Sequence, residues 1–529
     1  MNKWIKIVLI GITMLSEFSL NAQTSKFERE EKKIFNEAES FYYYGDYKSA
    51  IDLYEKIEGV DPDFAELQFK LGESYYQLKR YEKAREHLKR GESFNSDATF
   101  YLAKLDLYFG NLISAEEKLT EFEQTRDSKF SLVSFDQTTL LMRNILNAHK
   151  FMSEPEIVNI INLGPSINTE NSEYVPIISS DETFMVFTSR RIREGNTMDP
   201  TGQPFEDIYT SSRANSNQEW SLATPINGQV NTNKHDASVG LSPDGNRLFV
   251  YRSNENLIGG DLYESIYLNG KWTVPVRMSE KINSAYSIEP SASLSLDGKT
   301  FYFSSNREGG YGGFDIYRVI LLPNGDWSLP KNLGPSINTK YHDDAPFIHP
   351  DGHTLYFSSK GHESMGGFDV FKSALLDEET WSDPENMGYP TNTTKDDIYF
   401  TISANEQHGY YSSDKKGGFG EHDIYLIDYL EKSLRQSVIK GKVIDEGTGD
   451  VVAANITIMS LKDAELTGVH VSDPEDGGFI FLVNPNEEFE VIVEADGFDK
   501  HIESVIFSVD QLRKTQKMEF KLNKSQASE

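Results

Sequence analysis

Residues 309–318 read GGYGGFDIYR, and the fold turns on what this stretch is. Four glycines in five positions with an acid behind them suit either a phosphate-cradling loop or a turn joining two strands. Uniqueness separates the two readings. Asp315-Ile316-Tyr317 belongs to a series with Asp207-Ile208-Tyr209, Asp261-Leu262-Tyr263, Asp369-Val370-Phe371 and Asp423-Ile424-Tyr425, and every interval is 54 residues. The stretch is therefore one copy of a repeat. It also lacks the G-x-G-x-x-G spacing and precedes a β-rich run where a dinucleotide loop precedes a helix. The glycines are expected to permit positive φ in a strand-joining loop, and the acid to accept backbone N–H groups there.

Other features keep the same beat. Turn dipeptides stand at Asp244-Gly245, Asp297-Gly298 and Asp351-Gly352, with Asp181-Glu182 and Asn405-Glu406 as degenerate copies. A β-prone run follows each and ends at Ser189, Ser253, Ser305, Ser359 or Ser413. Trp220, Trp272, Trp327 and Trp381 close four of the five units. Each unit predicts four strands: one before the turn, the serine-ending run, one from Asp-Ile-Tyr, and an outer one carrying the tryptophan. The fifth unit lacks its tryptophan strand, and residues 155–163, PEIVNIINL, are expected to supply it from the other end of the region. Repeated four-stranded units predict a β-propeller, here of five blades over 154–433.

The acids of the repeat, Asp207, Asp261, Asp315, Asp369 and Asp423, are read as mainly structural, with cation or basic-peptide binding by a ring of acids as the alternative. A second series, Glu173, Asp236, Glu289, Asp344 and Asp397, is expected to tether neighbouring blades. His342, His349, His353 and His362 fall in one unit, but the pair His349/His353 brackets a tight turn and not a helix, so a scattered surface origin is expected in place of a metal site. The runs SPDGNRLFVYRS and HPDGHTLYFSS resemble the PD40 variety of WD40-like repeat known from TolB-like proteins. A sialidase Asp box, S-x-D-x-G-x-[TW], is missed by one residue in SPDGNRL.

Residues 27–152 carry a helical periodicity and a second repeat. Ala38, Phe41, Tyr47, Ala50 and Tyr54 recur as Gly72, Tyr75, Tyr81, Ala84 and Leu88 at an interval of 34. A looser third copy, with Ala103, Ala115 and Leu119, is offset by 31, and the stretch from Phe135 to Met152 reads as a closing helix. Small Ala50 and Ala84 let paired helices approach, and Tyr47 and Tyr81 are expected between neighbouring hairpins. The pattern resembles the tetratricopeptide repeat. That resemblance implies a concave groove, whose positions fall on Glu39, Tyr42, Tyr43, Glu73, Tyr76 and Gln77 and suit a partner's peptide or helix. The alternative is that these tyrosines pack on an adjoining domain.

Residues 437–523 alternate apolar and polar positions in about seven short strands, which predicts a β-sandwich. Its opening G-x-V, Gly477-Gly478-Phe479 and Ala495-Asp496-Gly497-Phe498 resemble the carboxypeptidase regulatory-like, or transthyretin-like, domain. Such domains are usually non-catalytic adaptors. At the other end, Lys3 and Lys6, an apolar run over 7–15 and Ala22 before Gln23 read as a secretory signal over 1–22, too short to span a bilayer. The chain has no cysteine, which removes disulfides, thiolate metal sites and a lipidated cysteine. Its net charge of −31 disfavours a nucleic-acid partner.

The fold class expected is thus multidomain, α then all-β: a tetratricopeptide solenoid, a five-bladed propeller and a transthyretin-like sandwich. This order resembles the OmpA-family envelope proteins associated with type IX secretion and gliding. The resemblance implies a non-enzymatic periplasmic scaffold at the outer membrane of a Gram-negative bacterium, with envelope proteins as partners and no cofactor. The family's OmpA-like domain is not found before Glu529, so peptidoglycan binding is not carried over. The alternative is an envelope glycan-binding protein or propeller glycoside hydrolase, which requires converging carboxylates in a polar pocket on the propeller axis.

Overall fold

The structure is a computed structural model. It describes residues 25–525 apart from positions 127–128, 130, 194–197, 200, 217, 258, 378, 430–436, 463–465, 475, 485 and 509–515. The expected export signal, 1–22, lies outside the described residues. Two compact units divide between His149 and Lys150.

The first unit is built from α1 (Arg29–Tyr43), α2 (Tyr47–Glu58), α3 (Ala65–Gln77), α4 (Tyr81–Gly91), α5 (Asp97–Tyr108), α6 (Leu112–Thr125) and α7 (Phe135–Ser153), which crosses the boundary. Packing follows the small residues of the repeat. Ala38, Ala50, Ala84, Ala103 and Ala115 are fully buried. A Cβ on Gly72 would stand 2.7 Å from Leu88 Cγ, so any larger residue would push α3 off α4. Tyr81 lies as expected against the next hairpin, its ring 4.4 Å from that of Tyr108. Tyr47 rests edge-on against Tyr42 of its own hairpin, 6.0 Å away, as Tyr81 rests on Tyr76, and it lies close enough to Glu73 of the next hairpin to feel its charge.

The second unit is all β. Five antiparallel sheets begin with the strands Glu173–Ile178, Asp236–Leu241, Ala292–Leu294, Asp343–Ile348 and Asp397–Ile402, and the first four are laid out in chain order. These first strands pack on one another in cyclic order, and the last returns to the first. The outer strand of the fifth sheet is Asn159–Asn162, paired antiparallel with Asp423–Asp428 from Asn159↔Asp428 to Asn162↔Tyr425. Apolar clusters fill the spaces between sheets, for example Tyr302, Ile316, Leu355, Phe357, Phe371 and Trp381.

Two details depart from expectation. The tryptophans are not on the outer strands, which are Thr224–Pro225, Val276–Arg277, Lys331–Asn332 and Glu385–Asn386. They sit in the return just before them and are largely buried among apolar neighbours, because a ring that large contributes more to the core than to a solvent-facing edge. Of the four histidines, His342 and His353 are exposed as expected and His362 is half-buried, but His349 departs from the surface. His349 is buried at the turn, where its Nδ1 lies 3.1 Å from Asp351. It replaces the serine that closes the other turns, such as Ser295 Oγ donating to Asp297 at 2.5 Å and Ser179 Oγ to Asp181 at 2.6 Å.

The strands Ser437–Asp445, Gly478–Val483 and Gln516–Leu522 form one sheet of the C-terminal part, and Asn455–Ser460, Leu466–Val471, Glu488–Glu494 and His501–Ile506 form the other. The two sheets share one core, centred on Ile439, Val443, Ile456, Phe481, Val491 and Phe520. Gly477 turns at φ 73°, and a Cβ there would meet the Val443 carbonyl at 2.6 Å.

Candidate functional site

One face of the helical unit gathers most of the predicted groove residues. Glu39 accepts hydrogen bonds from the Tyr54 hydroxyl and the Lys70 ammonium, and Lys70 lies 3.9 Å from Glu66. Glu73 accepts from the Tyr42 hydroxyl and, at 2.9 Å, from the Tyr101 hydroxyl. The Tyr76 ring lies 5.0 Å from that of Tyr101 and 5.6 Å from that of Tyr81. Glu39, Tyr42, Glu73 and Tyr76 thus belong to one network spanning the first helices of three hairpins. Burial and the adjacent glutamates push the hydroxyls of Tyr42, Tyr54 and Tyr101 well above the usual phenol range, so they stay protonated and donate.

The other two predicted residues are outside it. Tyr43 is 82% exposed and meets the ring of Tyr44, and Gln77 is exposed at the end of α3. Sequence reasoning missed Lys70, Tyr101 and Lys104. A signal for Lys104 was present: the residue after the small helix-packing position is Glu39, Glu73 and, in the third copy, Lys104. The 31-residue offset of that copy hid the correspondence.

In the second unit the acids that open each third strand do not converge. Asp315 accepts from Tyr311 N at 2.6 Å, Gly312 N at 3.0 Å and Asn332 Nδ2 at 2.7 Å. Asp423 repeats this with Phe419, Gly420 and Asn162, while Asp369 takes Met365 N and Asn386. Asp207 and Asp261 are each held by an arginine fork, Arg193 and Arg277. Each carboxylate thus faces its own loop or its own sheet.

The tether series has the arrangement Glu173, Asp236, Glu289, Asp343 and Asp397. Asp343, not Asp344, occupies the fourth place: it accepts from Thr339 N and Ser359 Oγ as Asp397 does from Thr393 N and Ser413 Oγ. Two adjacent aspartates made the register ambiguous. Four of the acids meet a cation of the same sheet and Asp343 has His362 in that place, 4.0 Å away; each of these side chains also donates to a backbone carbonyl: Arg191 to Ile167, Arg252 to Val230, Arg307 to Ile282, His362 to Ile337 and Lys415 to Thr391. The carbonyl lies on the segment entering the sheet, so the latch joins that segment to the sheet's inner strands.

The space enclosed by the first strands is small and mixed in character, with Ser291, Ser293, Tyr399 and Thr401 beside its apolar residues. A cavity of about 80 Å³ is lined by the five first strands, with Val175, Val239, Ala292, Ala345, Phe400 and Ile402 among its residues, and no carboxylate lines it. Asp344, beside it, accepts from Ser304 Oγ at 2.6 Å and from Ser291. Glu206 takes the Tyr174 hydroxyl at 2.5 Å and Arg190 at 2.6 Å. Burial pushes its carboxyl up, but His235 and Arg190 outweigh that and hold it down at about 2. On the turn side, Ile480 of the sandwich packs with Ala404, Leu296 and Leu482. Lys440 lies 3.5 Å from Asp181. Among the described residues no group of three or more His, Asp or Glu is placed to hold a metal ion, and no helix is long and apolar enough to cross a membrane.

A tetratricopeptide-repeat family profile matches residues 42–105. No curated protein matches the chain. Among solved structures, a putative TolB from Agrobacterium tumefaciens is 15% identical, with 62% of this chain and 97% of that one covered and a TM-score of 0.31. The first tetratricopeptide domain of Spaghetti, solved with an HSP90 peptide, is 18% identical over 23% of this chain and 93% of its own, with a TM-score of 0.20. A β-xylosidase/α-arabinofuranosidase from a compost metagenome is 13% identical over 52% of this chain and 96% of its own, with a TM-score of 0.35.

Proposed function

We propose that this protein is a non-enzymatic scaffold of the bacterial envelope, in which the tetratricopeptide groove captures a partner segment. On this reading the five sheets are the blades of one propeller, and the C-terminal sandwich is an adaptor domain. The observation that carries the reading is the face formed by Glu39, Tyr42, Glu73, Tyr76 and Tyr101. It offers aromatic rings and fixed polar groups over three hairpins, the chemistry that peptide-binding surfaces use. The cavity between the first strands supports a non-catalytic role for the propeller: it is small, no carboxylate lines it, and the nearby acids Asp344 and Glu206 are bonded to serines, a tyrosine and an arginine.

The compartment and the machine belong to the same proposal. A signal over 1–22 would take the protein to the periplasm, and the order of repeat, propeller and sandwich favours a place with type IX secretion or gliding machinery at the outer membrane. Affinity capture from envelope extracts with the whole chain tests this. Specific envelope partners are expected, and their loss with Tyr42→Ala and Tyr76→Ala combined, at unchanged helical circular dichroism, assigns them to the groove. Capture by the double variant equal to wild type would remove the groove, and capture of no envelope protein would remove the scaffold reading.

A further inference from the structure

The sandwich sheet made of Asn455–Ser460, Leu466–Val471, Glu488–Glu494 and His501–Ile506 has an apolar outer face, where the solvated face of an antiparallel sheet is ordinarily polar. Val469 and Ile492 flank Thr457 across the ladder, and Ile502 lies opposite Ile492, so one row crosses all four strands. Leu466 and Val471 extend it on one edge strand and Ile506 on the other. Leu466, Val469, Val471, Ile502 and Ile506 are between 54% and 69% exposed. The opposite sheet differs: Lys440, Lys442, Lys517 and Glu519 alternate there with core residues. A contiguous apolar patch on a solvated face marks an interaction surface. One acid stands inside it. Glu490 lies between Met459 and Ser504, two residues along the strand from Ile492. Among the described residues no cation lies within ion-pair distance of Glu490, or of Glu488 opposite Ile506, whereas Glu494 is paired with Lys500 at 3.1 Å.

We propose that this face binds an amphipathic helix of a partner protein, whose apolar stripe carries a Lys or Arg that meets Glu490. The proposal rests on the sandwich being an adaptor, but not on the tetratricopeptide groove. Shape and charge select the occupant. An added strand extends a sheet edge and leaves the face bare, so a helix or a second sheet is needed to cover it. The face measures about 19 Å across four strands and about 20 Å along them, roughly 400 Å². That is half of the ~800 Å² per partner that a stable dimer buries. A helix of about 13 residues, about 20 Å long and about 10 Å wide, fits it. A second copy would also bring its own Glu488 and Glu490 toward the first pair, a repulsion that a basic helix turns into attraction.

Two peptide libraries of about fourteen residues displayed against the whole chain test this, one with apolar positions at helical spacing and one alternating with period two. The helical library is expected to yield the binders, with Lys or Arg fixed at one place in the apolar stripe, and Glu490→Lys to select Asp or Glu there. A selected peptide should lose roughly 10-fold in affinity when Glu490 becomes Gln or when its own basic residue becomes Met, and the two changes together should cost little more than either alone. Val469→Gln combined with Ile502→Gln should abolish binding. Circular dichroism establishes folding, and Val469→Thr with Ile502→Thr, which keeps β propensity, serves where the glutamines do not fold. Binders indifferent to both pairs, or no binders, overturn the face. Binders lost with these pairs but lacking a fixed basic residue overturn the match to Glu490, and preference for the alternating library overturns the helix. Dimerisation of the whole chain in sedimentation, or co-sedimentation with phosphatidylglycerol vesicles, if abolished by the same pairs, gives the face to a second copy or to lipid and overturns the partner helix. The Tyr42→Ala, Tyr76→Ala variant should bind the selected peptide unchanged. Loss of binding there assigns the peptide to the groove and overturns the face while leaving the scaffold reading intact, whereas tight helix binding without any envelope capture keeps the face and removes the scaffold.

Discussion

The glycines at 309, 310, 312 and 313 answer to different constraints. Only Gly309 takes positive φ, at 90°, with open space around it. A Cβ on Gly310 would stand 2.7 Å from Asp315 Oδ2, one on Gly312 would strike the Tyr341 carbonyl, and one on Gly313 the His342 ring. The expectation that these glycines serve positive φ is thus corrected for three of the four: Gly310 leaves room for Asp315 of its own sheet, and Gly312 and Gly313 let the loop pass close to the segment entering the next sheet. Gly309→Ala should cost about 1 kcal/mol as a strained left-handed alanine. Gly312→Ala should cost about 2–3 kcal/mol, because the backbone carbonyls in its way cannot rotate aside. Urea unfolding of the two variants checks the order, and equal costs would refute the close-approach account. Neighbouring Asp343 has a separate signature. Its burial outweighs the bonds from Ser359 and Thr339 and pushes the carboxyl up to about 6 from the ordinary 3.8. The folded state therefore binds a proton that the unfolded state releases between about pH 4 and 6. The resulting stability is complete below pH 4 and lost as pH rises through 6, by about 2–3 kcal/mol. Asn cannot titrate, so the stability of wild type minus that of Asp343→Asn should fall by this amount between pH 4 and pH 7. A flat difference would sink it.

At the scale of the element, the repeated unit is a sheet together with its latch. Arg307 shows how the latch holds: it donates to Ile282 O at 2.6 Å, lies 3.3 Å from Glu289 and covers the rings of Phe303 and Tyr317. Glu289 is fully buried. Arg307→Met should cost about 3–5 kcal/mol, most of it from leaving that carboxylate without a counter-charge. Adding Glu289→Gln should recover about 2 kcal/mol or more, since the neutral amide no longer needs one. Thermal unfolding of the two singles and the double measures the coupling, and simple additivity would remove the latch. The acid half of this element was legible because an acid recurs before each first strand near the 54-residue beat, at intervals of 63, 53, 54 and 54. The cation half was not, since the position is filled by Arg191, Arg252, Arg307, His362 or Lys415 and its offset from the serine varies. The groove was legible for a similar reason and to a similar extent. Two copies at a constant interval of 34 disclosed Glu39, Tyr42, Glu73 and Tyr76, and the shifted third copy concealed Tyr101 and Lys104.

Across the whole molecule, the all-β unit depends on one strand that the chain supplies out of order. Asn159–Asn162 completes a sheet whose other strands begin at Asp397, so this pairing joins parts of the chain more than 230 residues apart in sequence. The other outer strands follow their sheets directly, and a local fault in one of them leaves the chain connection in place. Loss of the Asn159–Asn162 pairing opens the cycle instead, and gives back the entropy of a very long loop. Equivalent positions make the comparison clean. Leu163 N donates to Ile424 O at 3.2 Å and Leu333 N to Ile316 O at 3.1 Å, so antiparallel alternation makes Ile161 and Lys331 the ladder donors two residues earlier. Both side chains face solvent, so proline at either removes the donor with little loss of packing. Ile161→Pro should therefore lower the stability of the β unit by at least about 1 kcal/mol more than Lys331→Pro, the excess being loop closure. Trp220, Trp272, Trp327 and Trp381, four of the chain's five tryptophans, lie in this unit, so fluorescence follows its unfolding. Circular dichroism at the helical minimum, dominated by the helical first unit, should keep the wild-type midpoint. Equal shifts from the two prolines would show that the cycle is held by the packing of its first strands, with the outer pairing only decorating its edge.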